Sequence, residues 1–243
     1  MRDGADLPYY AGEPVDISPA GWLIVMASVV LAFLLLLALP LPTPPLNFIP
    51  AIVFTGLPLF ALMAVSGWTP PAIFGPITGR GIAMGLGAGL VTIVVSFMVG
   101  PIVSMLFGVA ANPAAISLAT MGTLDLVLFL ARTFIQLIGE EVVSILPLLG
   151  VLWLCTRKCG LSRRTGLIAA VVVSTLWFAA MHLPTYDWNV AQCVLIIGSA
   201  RLVLTMTYLL TRNLWVSSIA HIANDWTLFL TAYGLGHLPV GTG

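Results

Sequence analysis

From Gly21 to Leu39 the chain runs without a single charged residue, and comparable apolar runs recur along most of its length. A stretch of roughly 20 apolar residues is what an α-helix needs to cross the hydrocarbon core of a bilayer. In lipid each backbone polar group has to be satisfied within the segment itself, so such runs are read as helices. The composition agrees: 60% of the 243 residues are hydrophobic, 7% are charged, and the mean hydropathy is +1.09. A soluble domain carries about a quarter charged residues. The expected fold is therefore all-α, a polytopic membrane protein of about seven transmembrane helices.

The expected spans are 21–39, 48–65, 81–107, 123–154, 166–181, 190–210 and 214–233. Pro40, Pro42, Pro44 and Pro45 close the first, and Trp68 follows the second as an interfacial aromatic. Residues 1–19 are polar with three prolines and read as an exposed, poorly ordered tail; 20–235 form one helical domain, and 236–243 a short carboxyl-terminal tail. In the third span Gly81, Gly85 and Gly89 repeat every four residues, as do Ser96, Gly100, Ser104 and Gly108. Small residues at that spacing form a helix-packing face. Segment 123–154 is longer than a span requires, so it must tilt, bend near Pro147 or protrude.

Basic residues orient the bundle. With seven spans and the amino terminus in the cytoplasm, Arg2, Arg80, Arg157 to Arg164 and Arg212 all fall inside, as the positive-inside rule requires. The carboxyl terminus then lies outside. The first 19 residues carry Asp3, Asp6, Glu13 and Asp16, and no small-residue cleavage site follows the first apolar run, so no cleavable signal peptide is expected. A formal net charge of zero gives no reason to expect a nucleic-acid partner. Cys155, Cys159 and Cys193 have neither metal-finger nor disulfide spacing.

Against this apolar background a few polar residues stand out. Glu140 and Glu141 lie in the middle of the fourth span, where a carboxylate costs roughly 2.5–3.5 kcal/mol. Arg132, Gln136, Glu140 and Ser144 recur every four residues on one face, while Glu141 is turned about 100° away. The two glutamates should therefore have different jobs. His182 ends the fifth span, Arg201 lies in the sixth with Thr205 and Tyr208 on its face, and the seventh holds Ser217, His221, Asn224 and Asp225. Taken singly, each has a structural explanation: an interfacial histidine, an internal His221–Asp225 hydrogen bond, an arginine neutralising a buried carboxylate. Groups of this kind within a membrane normally face the bundle interior and find one another.

In their order, Glu140-Glu141, Phe178-Ala-Ala-Met-His182 and His221-Ile-Ala-Asn-Asp225 resemble the three motifs of the CPBP intramembrane proteases. That family includes the CAAX prenyl endopeptidases and bacterial relatives tied to bacteriocin processing and immunity (Abi-like proteins). The resemblance covers roughly 123–232, and it departs at Ile145, where the family usually has an arginine. It implies an intramembrane endopeptidase in a bacterial inner membrane, acting on a membrane-associated peptide or protein, prenylated or leader-bearing. Arg201 or Arg132 would then supply the missing positive charge, and we expect Arg201 to pair with Glu141.

A carboxylate moved out of water is a stronger base, which suits Glu140 for activating a water molecule. The resemblance gives His182 a share in positioning that water and sets His221 with Asp225, or the neighbouring Asn224, toward the oxyanion. A second version holds a divalent metal such as zinc on Glu140, His182 and His221, with Glu141 as base. Two non-protease readings compete. One is a binding or immunity protein of the same fold that has lost the reaction, favoured by Ile145. The other is a proton-coupled transporter using Glu140, Glu141, His221 and Asp225 as a relay, disfavoured by the lack of repeated halves.

Overall fold

The computed structural model describes residues 6–39 and 41–238; the expectations for Arg2, Asp3, Pro40 and the last five residues lie outside that range. The chain is helical throughout, with no strand among the described residues. The helices are α1 (Pro19–Ala38), α2 (Phe48–Val65), α3 (Gly79–Phe107), α4 (Pro113–Leu118), α5 (Thr123–Trp153), α6 (Arg163–Met181), α7 (Gly198–Thr211) and α8 (Leu214–Gly236). Sequence signals mark the boundaries. Ser18, Thr78, Asn112, Ser162 and Asn213 each accept a backbone N–H with the side chain at a helix start. Gly108, at φ 70°, ends α3.

Six helical segments are long and apolar enough to cross a membrane. The seventh expected span, α8, is present and has 23 residues, but it falls outside this group. Ser217, His221, Asn224 and Asp225 dilute its hydropathy, so the site itself masks the span. The segment 123–158 is the axis of the bundle: 83% of its most apolar window is buried, against 39% or less for the other five. Pro147 lies inside α5 without ending it, and a π-helical turn at Leu154–Lys158 prolongs the helix. At 1.5 Å per residue the whole element is about 54 Å long, so it protrudes from the hydrocarbon layer.

Loop contacts define the two ends of the bundle. At one end the Tyr9 hydroxyl accepts from Ala72 N (2.6 Å), Arg163 donates to Asp6 (2.5 and 2.7 Å), and Gly75 N donates to Asn213 Oδ1 (2.8 Å). Arg80, Arg157, Lys158, Arg164 and Arg212 belong to the same loops and helix starts. At the other end Ala110 N donates to Gln192 (2.8 Å), Asn189 to the Gly108 carbonyl (3.1 Å) and Asn112 to the Tyr186 hydroxyl (3.2 Å). The seven long helices thus alternate in direction, and the loops expected to share one side do share one end.

Two readings need correction. The amino-terminal segment is not an exposed tail over its described part: Leu7, Tyr9, Tyr10 and Ile17 are buried and join the main core. Apolar residues scattered at 7, 9, 10 and 17 follow no single helical face, so their docking leaves no periodic signal. The small-residue face of α3 is real only in its first half. A side chain at Gly85 would collide with Ile219 and the Val216 carbonyl, and one at Gly89 with Ala220 and Ala223. In the second repeat Gly100 has nothing within 4 Å and Ser104 is exposed, while Ser96 lines an internal cavity.

Candidate active site

Helical geometry separates the two glutamates as their spacing demanded. Glu141 is fully buried, and Arg201 from α7 grips both of its oxygens, at 2.5 and 2.9 Å. Arg201 also donates to Thr205 (3.1 Å) and lies over the Phe178 ring (5.2 Å). Ile145, at the position where a further arginine was expected, is fully buried in the apolar core. The positive charge therefore arrives from α7 rather than from the next turn of α5. His221 Nδ1 donates to the same carboxylate (3.0 Å), so Glu141 fixes the ring that α8 carries inward. Glu141 is absent from the cavity wall, and it stands behind His221 rather than beside a substrate.

Glu140 lies in front of it. Gln136 donates to Oε1 at 3.1 Å, and Ser144 bonds back to the Glu140 carbonyl (2.6 Å) instead of reaching the cavity. Oε2 stands 3.9 Å from His182 Nε2 and 3.8 Å from His221 Nε2. His182 caps the end of α6, where Pro184 and a 3-10 turn follow. Its Nδ1 is 2.8 Å from the Phe178 carbonyl, and only an N–H can pair with a carbonyl. The neutral ring therefore presents the lone pair of Nε2 towards Glu140. The Phe178 ring packs against this one, tilted at 46° with 4.5 Å between centroids.

On α8, Asp225 Oδ1 is 3.7 Å from His221 Nε2, too far for the expected internal hydrogen bond. It accepts instead from Asn224 Nδ2 at 2.8 Å. Asn224 is buried, with no partner for its Oδ1 among the described residues.

Glu140, Phe178, His182, Arg201, His221, Asn224 and Asp225 line one cavity of about 600 Å³. The cavity wall also includes Asn112, Thr185 and Tyr186, which the sequence reading did not single out. His182 and Tyr186 are four residues apart, and that spacing was the available signal; Pro184 obscured it by suggesting that the helical repeat had ended. None of the loops at the basic end contributes to the wall, whereas Ala110, Asn112, Thr185 and Tyr186 of the opposite end do.

Glu140 Oε2 lies 3.9 Å from His182 Nε2 and 3.8 Å from His221 Nε2, somewhat wider than the spacing within the zinc set expected of Glu140, His182 and His221. Neighbouring ligands on a tetrahedral zinc lie about 3.4 Å apart, given bonds near 2.1 Å. Among the described residues no group of three or more His, Cys, Asp and Glu could hold a metal ion.

The fold and this cluster define a multi-pass, all-α membrane protein with an acid–imidazole centre enclosed among its helices. Residues 121–227 match the family model of the Rce1-like type II CAAX prenyl endopeptidases, which bears out the resemblance drawn from the three motifs. The match spans a little under half of the chain and supports a CAAX-type intramembrane endopeptidase kind of function. No curated protein and no solved structure matches the chain.

Proposed function

We propose that the protein is an intramembrane endopeptidase in which Glu140 activates a water molecule without a metal. The observation that carries this reading is the placement of Glu140 Oε2 between two imidazole nitrogens, at 3.8 and 3.9 Å, in a cavity large enough for a peptide. Such separations are too long for direct hydrogen bonds and suit a bridging water.

A water donating one hydrogen to Glu140 Oε2 and the other to His182 Nε2 keeps its lone pairs for the scissile carbonyl. As its oxygen bonds to the carbonyl carbon, its proton passes to Glu140 and the carbonyl oxygen becomes an oxyanion. The second N–H of Asn224 Nδ2, beyond the one given to Asp225, and Nε2 of a protonated His221 are the donors that would meet it. Collapse of the tetrahedral intermediate breaks the C–N bond, and Glu140 returns its proton to the leaving amine. Glu141 and Arg201 act through His221 as positioning residues.

By analogy with the matched family, the proposed substrate is a membrane-associated peptide or protein, prenylated in the CAAX type, and the proposed setting is a bacterial inner membrane. Ile145 favoured loss of the reaction; the pairing of Arg201 with Glu141 supplies a positive charge from α7 and so favours the enzyme over a non-catalytic immunity protein. Cleavage of a farnesylated peptide by the full chain in lipid nanodiscs is the test. Glu140→Gln should lower kcat about 10²–10⁴-fold; equal turnover by the variant would overturn the assignment.

A further inference from the structure

Tyr186 lines the cavity, yet no step of the mechanism uses it. The 3-10 turn Leu183–Tyr186 follows α6 directly, and the Tyr186 amide closes on the His182 carbonyl at 3.3 Å. That bond brings the phenol to the side of His182, with the two rings 19° from parallel and 6.5 Å between centroids. The ring is buried with Ala179 and Cys193, so its position is fixed and the hydroxyl alone can turn. The hydroxyl lies 3.2 Å from Asn112 Nδ2, and chemistry sets the direction of that bond. Asn112 caps α4, where its Oδ1 accepts from the Ala114 amide at 2.9 Å, and only the oxygen of a side-chain amide can accept. Nδ2 therefore faces the phenol and donates to it. The phenol's own hydrogen is left over, with no acceptor among the described residues. Burial, and after it the charge of Asp225, push this group up to about 12, so it keeps that hydrogen at physiological pH. Asp225 weighs on it more than Glu140 does, which turns attention to the α8 side of the cavity, where Asn224 and His221 donate.

We infer that Tyr186 is a further catalytic residue, whose hydroxyl donates to the carbonyl oxygen of the bond under attack. This rests on the endopeptidase reading of the same site. As water adds and that oxygen becomes an anion, the hydrogen bond strengthens while the proton stays on the phenol. Glu140 still carries the transferred proton from the water to the leaving amine. Asn112 is a positioning residue: by occupying the phenol oxygen from one side it turns the hydrogen into the cavity. A hydroxyl that accepts one bond is also a better donor of the next. Asn112 lies outside residues 121–227, so the linker between α3 and α4 shares in chemistry that the matched stretch does not contain by itself.

Two substitutions in the full chain, in lipid nanodiscs with the farnesylated peptide, test this. Tyr186→Phe keeps the ring and removes only the hydroxyl; kcat should fall by about tenfold or more with KM unchanged. Asn112→Asp keeps an acceptor for the Ala114 amide, and its second oxygen draws the phenol hydrogen away from the cavity. Thermal unfolding should stay the same while kcat falls as far as in Tyr186→Phe, because the tie survives with its direction reversed. The double variant should be no slower than Tyr186→Phe. A normal kcat in either single variant, a loss confined to KM, or a further fall in the double variant caused by the added charge would overturn the inference. If the unmodified protein leaves the peptide uncut, the endopeptidase reading fails, and binding of a farnesylated phosphinate peptide, a tetrahedral anion in place of the intermediate, decides Tyr186. Binding weakened about tenfold in Tyr186→Phe, with the parent peptide bound as before, sustains the donor. Equal binding of the phosphinate by both proteins ends it.

Discussion

Arg201 and Glu141 hold each other through two hydrogen bonds, at 2.5 and 2.9 Å, with neither side chain exposed. The pair ties α7 to α5 and, through His221, to α8. Arg201→Met leaves a buried carboxylate uncompensated and should destabilise the fold by about 3–5 kcal/mol. The double variant Arg201→Met, Glu141→Leu should recover most of that loss in thermal unfolding yet stay slow in cleavage, because His221 Nδ1 has lost its acceptor. A double variant that cleaves at the normal rate would refute the positioning role.

Phe178 separates Arg201 from His182, touching one at 5.2 Å and the other at 4.5 Å. Phe178→Leu keeps most of the volume and should cost under about 1.5 kcal/mol of stability. Its effect should fall on kcat rather than KM, since the ring steadies the imidazole and not the peptide. Steady-state kinetics on the farnesylated peptide distinguish the two.

Gly89 and Gly100 lie on one helix with opposite expectations. A side chain at Gly89 meets the Ala220 carbonyl at 2.8 Å, whereas one at Gly100 meets nothing. Gly89→Val should destabilise by about 1–3 kcal/mol and lower activity by moving His221. Gly100→Val should leave both unchanged within error, as thermal unfolding in detergent and the cleavage rate will report.

Asp6 anchors the amino-terminal segment. Burial alone would raise its pKa, but the bonds from Arg163, Tyr10 and the Leu7 amide outweigh that and hold it at about 2, below the ordinary 3.8. A lowered folded value means the anchoring is present above the ordinary value and is lost as pH falls from 3.8 towards about 2. Pepsin, active across that window, should cut near Leu7 to Tyr10 increasingly as the pH drops. Asp6→Asn should be cut there already at pH 4, and indifference of cutting to pH and substitution would disprove the anchor.

The alternation of seven helices sets Arg80 and Thr185 at opposite ends of the bundle. Both are exposed, so Arg80→Cys and Thr185→Cys should react with a membrane-impermeant thiol reagent from opposite sides of sealed vesicles. A bound peptide should shield only Thr185→Cys, which borders the cavity. Labelling of both from one side would break the topology.

Much of this arrangement was legible in the sequence because it depends on period and exclusion from lipid. Charge-free runs located the spans, and the four-residue stripe of Arg132, Gln136 and Glu140 pointed them at one space. Arg201 as partner of Glu141 followed from the cost of an unpaired charge. What stayed hidden depends on how elements meet. His221 could not be known to choose Glu141 over Asp225, since its own helix offers the second and a different helix the first. Tyr9 beneath Ala72 and Tyr186 beside His182 come from irregular backbone that carries no period.

The notch at Gly85 and Gly89 lies outside the stretch that resembles a protease, yet α8 rests in it one residue from His221. Two missing side chains on a helix with no chemistry of its own thus fix how far a reactive imidazole is pushed inward. A chimera that joined residues 121–243 to the leading helices of another membrane protein would therefore carry every reactive group and still hold them out of register.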